Sequence, residues 1–284
     1  MKDRFGIGWR PELAAGILAN LDRIDIIEVI ADDYFDAPKF KCRALRTLAR
    51  QVPLALHGVS LGMASSAAVE GARLDASARL IEEIEPEFWS EHLAFVRSGG
   101  IEIGHLAAPP RTEATIAGAA RNLATAKKIV GALPLVENIA TLIDPPASAM
   151  SEADWTREIL AAARCDLLLD LHNLYANAIN FGFDPRRYID RLPRERVRGI
   201  HLAGGRWIKA PSSGASRLLD DHLHDVPQAV YELLEYAEEK IPQPLTVVLE
   251  RDGRYPPMEA LLGQLDRARA VLARGRPAAQ AEAA

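Results

Sequence analysis

The sequence predicts an α/β fold, a single TIM-type (β/α)8 barrel with a multinuclear metal site at the C-terminal ends of its strands. Strand-like and helix-like segments alternate eight times along the chain, which is the pattern of a parallel sheet. The strands are almost continuously apolar, as expected of strands covered on both faces. Seven of the apolar runs end in a side chain that can bind a metal, and barrel enzymes build their active sites at the carboxyl ends of the strands.

The predicted elements cover most of the chain. The strands are predicted at 5–9, 24–30, 53–59, 87–95, 133–139, 165–171, 196–203 and 244–252. The helices are predicted at 11–21, 38–50, 74–84, 112–130, 151–163, 184–191, 226–239 and 256–273. Long loops are expected after the fourth strand and after the seventh, the second of them reaching residue 219. The catalytic domain is therefore predicted to span 1–273, with a flexible C-terminal tail at 274–284.

An open doubly wound sheet is the alternative fold. Gly6-Ile7-Gly8 in the first strand lacks the third glycine of a dinucleotide-binding fingerprint, and it precedes Pro11. That arrangement does not suit a helix that cradles phosphate. The barrel is therefore favoured.

Length, charge and cysteine content limit the class of protein. The 284 residues suit one barrel domain, which commonly has ~250. The formal net charge is −5 without a basic stripe, which argues against a nucleic-acid partner. The N-terminal segment lacks the apolar core of a signal peptide, and no apolar run approaches the ~20 residues that span a bilayer. We expect a cytoplasmic protein with no membrane partner, in which Cys42 and Cys165 form no disulfide framework.

Metal-binding side chains lie at the ends of the predicted strands. His57 and His92 end neighbouring strands and form a plausible nitrogen pair for iron, zinc or copper. Glu137 and Asp170 close apolar strands, where a carboxylate is costly to bury without a partner. Further donors of the same kind are Asn173, His201 and Glu250. Oxygen donors of this type suit divalent iron or manganese better than thiolates would.

The densest group of possible ligands is the segment Asp220-Asp221-His222-Leu223-His224-Asp225. If the segment is extended, Asp220, His222 and His224 share one face. The alternative is a solvated turn in which Asp225 caps the next helix. With the strand ends, the supply of donors exceeds the ~4–6 that one ion takes, so two or three ions are predicted.

Four further residues are candidates for supporting a ligand or contacting substrate: Glu28, Arg10, His172 and His224. Glu28 ends the second strand and could orient a ligand or a backbone amide. Arg10 follows the first strand and could hold a carboxylate. His172 lies two residues after Asp170, where it could support the metal ligands.

As a set, these motifs resemble the multinuclear non-haem iron-dependent oxidative enzymes, a family once filed as a domain of unknown function that includes the iron enzymes of methanobactin and thiaglutamate biosynthesis. The resemblance covers about residue 5 to about residue 270. The motifs, in order, are HGVSL at 57–61, SEHLAF at 90–95, VEN at 136–138, DLHNLYANAIN at 170–180, IHLAGG at 200–205, DDHLHDVP at 220–227 and LERD at 249–252.

The resemblance implies a barrel with two or three iron ions, mixed Fe(II) and Fe(III), and molecular oxygen as co-substrate. It implies oxidative modification of a ribosomally synthesised precursor peptide, most often at cysteine, and a separate partner protein that presents this peptide. The implied iron ligands are His57, His92, Glu137, Asp170, Asn173, His201, Asp220, His222 and Glu250. Asp170, Asp220 and His222 are also implied to be catalytic, and His224 matches a second histidine of some members.

The sequence departs from the usual family pattern at three places. His172 stands where members often have asparagine or serine, Gly205 replaces a frequent histidine, and Asp32-Asp33 replaces a frequent Glu-Asn. These departures leave the implied metal ligands intact. The identity of the substrate stays open.

Two other functions are compatible with the residues. One is a divalent-metal hydrolase or isomerase of the endonuclease IV and xylose isomerase type, since several metal ions in a barrel also suit phosphodiester cleavage. Zinc content without oxygen consumption would favour that function. The other is a metal-binding scaffold without catalysis, in which oxygen would do nothing to the reduced protein.

Overall fold

Eight parallel strands form a closed barrel in a computed structural model that describes residues 2–98, 100–209 and 214–282. The order around the barrel is β1-β12-β9-β8-β7-β4-β3-β2. The strands within the described residues are β1 Arg4–Gly8, β2 Ile26–Ile30, β3 Leu54–Gly58, β4 Phe88–His92, β5 Phe95–Ser98, β6 Ile101–Ala107, β7 Leu135–Glu137, β8 Leu167–Asp170, β9 Val197–Leu202, β10 Gly205–Lys209, β11 Ser216–Asp220 and β12 Thr246–Leu249. The predicted (β/α)8 fold is confirmed.

Helices connect the successive barrel strands. The α-helices of the described residues are α1 Ala14–Leu18, α2 Lys39–Ala49, α3 Gly71–Ile84, α4 Glu113–Val130, α5 Glu152–Ala163, α6 Leu171–Phe181, α7 Pro185–Arg191, α8 Gln228–Lys240 and α9 Met258–Glu282. None of these helices combines the length with the apolar character needed to cross a bilayer.

Two predicted loops are hairpins. The segment after β4 contains the antiparallel pair β5 and β6, and the segment after β9 contains the antiparallel pair β10 and β11. The prediction of long irregular loops was therefore wrong. Ile101, Ile103 and Ala107 alternate with other residues along β6, and this period of two is the signal of a strand.

The sequence also missed a helix. Leu171–Phe181 forms α6 directly after β8, whereas only a helix near 184–191 was predicted. Asp170 caps α6, because its side chain accepts a hydrogen bond from the Asn173 amide, and Gly182 ends the helix with a φ of 72°. The apolar run before Asp170 hid this boundary, since it was extended one residue too far as a strand.

The last helix is longer than predicted. It was expected to end at 273, but α9 continues to Glu282. The extension is rich in alanine, the best helix former, despite Pro277. The proposed tail at 274–284 is therefore helical as far as Glu282.

Contacts divide the chain into two compact units. One comprises Met1–Asp25, Ala140–Asp144 and Leu169–Ala284, and the other comprises Ile26–Ile139 and Pro145–Leu168. In the second unit, the register pairs His57 with Ser90 and His92 with Glu137 across β3, β4 and β7. In the first unit, β12 pairs with β9 so that Val248 lies opposite His201. The assignment of 1–273 to one domain stays a prediction.

Helix α4 fixes the segment that follows β3. The Asn122 amide donates to the carbonyls of Met63, Ser65 and Ala67, and its oxygen accepts from the Val69 amide. Gly118 lies against the same segment, because a Cβ there would be 2.6 Å from the Ser65 carbonyl oxygen. The chain beyond His57 is thus held by a close helix approach that only glycine permits.

We predict that Gly118→Ala destabilises the protein by ~1–3 kcal/mol, because the added methyl group overpacks against backbone atoms. Gly263→Ala is the matched control, since Gly263 also lies in a helix but a Cβ added there would have no neighbouring atom within 4 Å. That control should be neutral or stabilising by up to ~1 kcal/mol, the helix-propensity difference. Urea unfolding followed by circular dichroism measures both, and equal stabilities would contradict the packing described.

Candidate metal centre

Two histidines and one glutamate converge in the unit formed by Ile26–Ile139 and Pro145–Leu168. His57 is the fourth residue of β3, His92 ends β4 and Glu137 ends β7. All three side chains are buried, and the ligand atoms lie within 4.8 Å of one another. The strand ends therefore bring together three of the predicted ligands, which we call the first triad.

The spacing of the first triad suits a metal ion better than direct hydrogen bonding. Glu137 Oε2 lies 3.5 Å from His57 Nε2 and 3.6 Å from His92 Nε2. Both distances exceed the ~2.7–3.2 Å of an ordinary N–H···O bond. Bonds of ~2.0–2.2 Å to a shared ion would place ligand atoms roughly this far apart.

The orientation of His92 strengthens this interpretation. His92 Nδ1 lies 3.2 Å from the Gly58 carbonyl oxygen, which can only accept, so Nδ1 carries the proton. In the neutral ring, Nε2 then presents a lone pair towards a glutamate oxygen. Two electron-rich atoms that face each other in a buried site are stabilised by a cation or a proton between them.

Residues that sequence reasoning did not single out support the first triad. Ser90 Oγ lies 2.8 Å from His57 Nδ1, which leaves Nε2 directed at Glu137. Glu91 is fully buried and accepts hydrogen bonds from the His92 and Leu61 amides. Both residues lie within the SEHLAF motif, and the signal that could have found them was their position beside His92.

A second triad lies in the unit that contains Leu169–Ala284. Asp170 ends β8, His201 lies near the end of β9, and Glu250 follows β12 directly. Their ligand atoms also lie within 4.8 Å of one another, and all three side chains are buried. His201 Nδ1 is 3.1 Å from Glu250 Oε2, so this pair forms a close imidazole–carboxylate contact.

Asp220 and His222 lie together, at and beyond the end of β11, in the same unit. His222 Nε2 is 2.9 Å from Asp220 Oδ2, and its Nδ1 is 3.1 Å from Asp252 Oδ2 and 3.7 Å from Glu250 Oε2. His172 Nδ1 is 2.6 Å from the other oxygen of Asp220. His172 therefore holds Asp220, and its role in supporting a metal ligand stays a prediction.

The charges of this group are strongly coupled. Burial raises the pKa of Asp220, but the positive charge of His222 and hydrogen bonds from His172 and His222 outweigh it and hold that pKa well below the usual range. Burial lowers the pKa of His222, but the charges of Asp220 and Glu250 raise it well above its ordinary value. Without metal, His222 is thus a cation between carboxylates, and a metal ligated by its ring must displace a proton. The ligand roles of Asp220 and His222 stay predictions.

The segment after β11 is not extended, so the shared face predicted for Asp220, His222 and His224 is wrong. His222 adopts a left-handed φ of 52°, which turns the chain after Asp221. This turn brings His222 back to Asp220, whereas His224 Nδ1 lies 2.9 Å from Asp221 Oδ1. His224 is therefore placed to support Asp221.

Arg10 forms an ion pair with Asp252. Its Nε donates to Asp252 Oδ1 at 3.0 Å, and the same carboxylate contacts His222. Burial raises the pKa of Asp252, but its hydrogen bond with His222 and the His222 charge lower it overall. The adjacent Arg251 pairs with Asp225. Asp252 is thus a member of the site that sequence reasoning did not assign.

Two further predicted site residues, Asn173 and Glu28, are buried. Asn173 lies in the first turn of α6, where its backbone N–H donates a hydrogen bond to Asp170 Oδ1. A role for its side chain as a metal ligand stays a prediction. Glu28 is buried on β2 opposite Ala55, in the unit of the first triad but outside that triad.

The two glycines after His201 allow a close approach of the backbone. A Cβ at Gly204 would collide with the carbonyls of His224 and Asp225, and one at Gly205 would collide with the Leu219 carbonyl and the His172 ring. The hairpin that carries Asp220 can therefore pack against His172 only because position 205 has no side chain.

We predict that His57→Ala lowers the metal content of the protein, because it deletes a nitrogen donor of the first triad. Ser90→Ala should keep the ligand but weaken metal affinity by ~10–100-fold, since the ring loses its orienting partner. His105→Ala is the control, because His105 is exposed on β6. Metal analysis by mass spectrometry measures all three, and an unchanged metal content in His57→Ala would contradict this assignment.

We predict that Arg10→Met weakens metal binding by the Asp170, His201 and Glu250 group, because freed Asp252 no longer positions His222 beside Glu250. The size should again be ~10–100-fold, as for other supporting contacts. Arg23→Met is the control, since Arg23 forms exposed ion pairs with Glu259 and Asp266 in the same unit. Calorimetric metal titration distinguishes the two variants, and equal affinities would count against a positioning role for Arg10.

Comparison with known proteins identifies relatives along the whole chain. A family model described as RiPP precursor modification enzyme MbnB/TglH/ChrH matches residues 4–273. A UPF0276 protein of Caulobacter vibrioides is 34% identical over 278 residues, covering 96% of each chain. A UPF0276 protein of Bordetella bronchiseptica is 33% identical over 272 residues, covering 96% of this chain and 93% of its own.

Solved structures with low sequence identity share the barrel fold. D-psicose 3-epimerase from Clostridium cellulolyticum matches with a TM-score of 0.59 at 12% identity, covering 96% of this chain and 98% of its own. Endonuclease IV from Thermus thermophilus matches with a TM-score of 0.56 at 17% identity, covering 95% and 99%. With the family match over residues 4–273, the chain belongs to the MbnB/TglH/ChrH family of RiPP precursor modification enzymes.

Proposed function

We propose that this protein is an iron- and oxygen-dependent enzyme that oxidatively modifies a ribosomally synthesised precursor peptide at cysteine. The family match supports a precursor peptide as substrate. The observation that carries the proposal is the first triad, His57, His92 and Glu137, because two histidines and one carboxylate form the typical ligand set of non-haem Fe(II) enzymes that use oxygen.

The ligand chemistry favours iron over a thiolate-bound metal. Neither cysteine belongs to either triad, since Cys42 lies on α2 and Cys165 precedes β8. Nitrogen and oxygen donors suit iron and manganese, whereas structural zinc sites commonly use cysteine. The likeness to a solved barrel described as binding zinc is one of fold alone, at 11% identity.

The two triads differ in charge, which suits two oxidation states. The first triad offers one carboxylate, whereas Asp170, His201 and Glu250 offer two. More negative charge around an ion stabilises its higher oxidation state. We therefore assign Fe(II) to the first triad and Fe(III) to the second. Asp220 and His222 are ligands only when a third ion binds.

Bound iron would supply open coordination positions for oxygen and for the cysteine sulfur, together with the capacity to accept electrons. The residues of the chain do the rest. Ser90 and the Gly58 carbonyl fix the two imidazoles of the first triad. When only two ions are bound, His222 keeps its proton as a cation between Asp220 and Asp252, and its Nδ1 lies 3.7 Å from Glu250 Oε2. That proton is available to a reduced oxygen atom or to a leaving group.

The substrate chemistry suits the cytoplasm, where cysteine stays reduced. We also propose a separate partner protein that presents the peptide, as the resemblance implies. The competing function is a divalent-metal hydrolase or isomerase of the endonuclease IV and xylose isomerase type. That alternative requires neither oxygen nor a cysteine in the substrate.

The test is co-expression with a short cysteine-bearing precursor peptide, sought among the genes adjacent to this one. The iron-loaded wild-type protein should change the mass of this peptide only when oxygen is present, and should leave a Cys→Ser version of the peptide unchanged. Asp170→Ala should lose iron and nearly all turnover, because it removes a ligand of the second triad. His105→Ala should match the wild type, since its side chain is exposed.

Iron analysis, oxygen uptake and peptide mass spectrometry together decide between the functions. Full iron content and turnover in Asp170→Ala would contradict the assignment of that residue. Activity of a zinc-loaded protein without oxygen would favour the hydrolase or isomerase instead.

A further inference from the structure

A cavity of about 450 Å³ lies between α2 and α3, outside the barrel strands. From α2 it is lined by Lys39, Cys42, Arg43 and Arg46. Cys42 and Arg43 are adjacent, and each lies three or four residues from both Lys39 and Arg46, so all four lie towards one face of that helix. From α3 it is lined by Ala76, Arg79, Leu80 and Glu83. Tyr34 and Phe35 border it at the start of α2. We call this feature the basic groove.

The basic groove concentrates positive charge on a protein whose formal net charge is −5. Its lining includes four cationic side chains and one carboxylate, which leaves three positive charges. Arg46 is the cation that meets the carboxylate, with its Nε 3.4 Å from Glu83 Oε1. Among the described residues, Lys39, Arg43 and Arg79 form no ion pair, and Asp33 and Asp36 of the neighbouring segment do not line the cavity.

Like charges on neighbouring turns of α2 repel one another, and a bound anion would reduce this repulsion. Lys39 and Arg43 are four residues apart, and Arg43 and Arg46 are three apart, so like charges face each other on α2. An exposed lysine or arginine is ordinary by itself. Here the cations surround a cavity with an apolar floor of Phe35, Ala76 and Leu80, which a solvated helix face does not need.

The distance over which the cations of the groove extend indicates which kind of anion fits it. Lys39 and Arg46 are seven residues apart on α2, so the cations extend over ~10 Å along the groove. A single phosphate would need its cations gathered at one point. Several carboxylates along an extended chain, with an apolar side chain between them, match both the spread and the apolar floor.

We propose that the basic groove binds an acidic segment of a peptide, whose carboxylates pair with Lys39, Arg43 and Arg79 and whose apolar side chain packs between Phe35 and Leu80. The identification of this peptide with the precursor rests on the proposed function. Helix α2 follows β2 in the chain, so Lys39 at its start is the groove cation nearest in sequence to the carboxyl end of that strand. An acidic segment held there raises the effective concentration of the rest of the peptide.

The probe for this proposal is a fluorescein-labelled 12-residue peptide that alternates pairs of glutamate with leucine and phenylalanine. A second probe carries glutamine in place of every glutamate. Fluorescence anisotropy with the iron-loaded protein should show binding of the glutamate probe, weakened by added salt because the contacts are ionic. The glutamine probe should bind at least about tenfold more weakly.

The decisive variant is Arg43→Glu/Arg79→Glu, which should weaken binding of the glutamate probe by at least about tenfold. The matched control is Lys41→Glu/Lys128→Glu, which changes the net charge equally at residues of the same unit that do not line the groove. Circular dichroism melting confirms that both variants fold. Equal loss in both, or no loss in the first, would overturn the proposal.

Cys42 gives an independent readout of position, since its half-buried thiol lines the groove whereas Cys165 is buried. The glutamate probe should slow alkylation of Cys42 by iodoacetamide, and the glutamine probe should not. Absence of protection, or complete displacement of the probe by inorganic phosphate at constant ionic strength, would assign the anisotropy signal to another site or to small anions and overturn the proposal. Because the binding measurement needs no turnover, it can disprove peptide binding by the groove without affecting the proposed iron chemistry. Likewise, absence of iron chemistry would leave the binding result unchanged.

Discussion

The site depends on the need to compensate buried, electron-rich atoms at the carboxyl ends of the strands. His92 is fixed by the Gly58 carbonyl so that its Nε2 lone pair faces Glu137, and His57 approaches the same carboxylate oxygen. Such a contact is costly in a buried environment unless a cation or a proton lies between the atoms. The parallel register places His92 opposite Glu137, so the two side chains leave neighbouring strand ends side by side. The barrel thus brings together donor atoms that a bound cation would stabilise.

The carboxylates of the other unit are compensated differently. Around Asp220, His222 and Asp252, protons and hydrogen bonds already balance the negative charge, and Arg10 adds a further positive charge. Asp170, His201 and Glu250 lie beside this network through the contact of His222 with Glu250. The first triad can therefore bind a metal ion without losing a proton. Asp220 and His222 can bind a metal ion only if His222 releases its proton. This difference gives the chain both metal ligands and a stored proton.

Much of the fold and of the site was predictable, and the failures have physical causes. Alternation of apolar strands and helices indicated the barrel, and carboxylates closing apolar runs at Glu137 and Asp170 marked the strand ends. Helix α6 was missed because Asp170 is both a strand end and a helix cap. The pairing of Asp220 with His222 required a left-handed residue at 222, which is uncommon outside glycine, asparagine and aspartate and carries no sequence signal. The roles of Ser90, Glu91 and Asp252 depend on contacts across strands and loops, which residue spacing alone cannot specify.

Anomalous X-ray diffraction at the iron edge, from crystals of protein produced with Fe(II) in the absence of oxygen, tests most directly whether the first triad binds iron. We predict an iron peak bonded to His57 Nε2, His92 Nε2 and Glu137 at ~2.0–2.2 Å. Hydrogen-bonded side chains with no iron peak between them in the iron-loaded protein would contradict it.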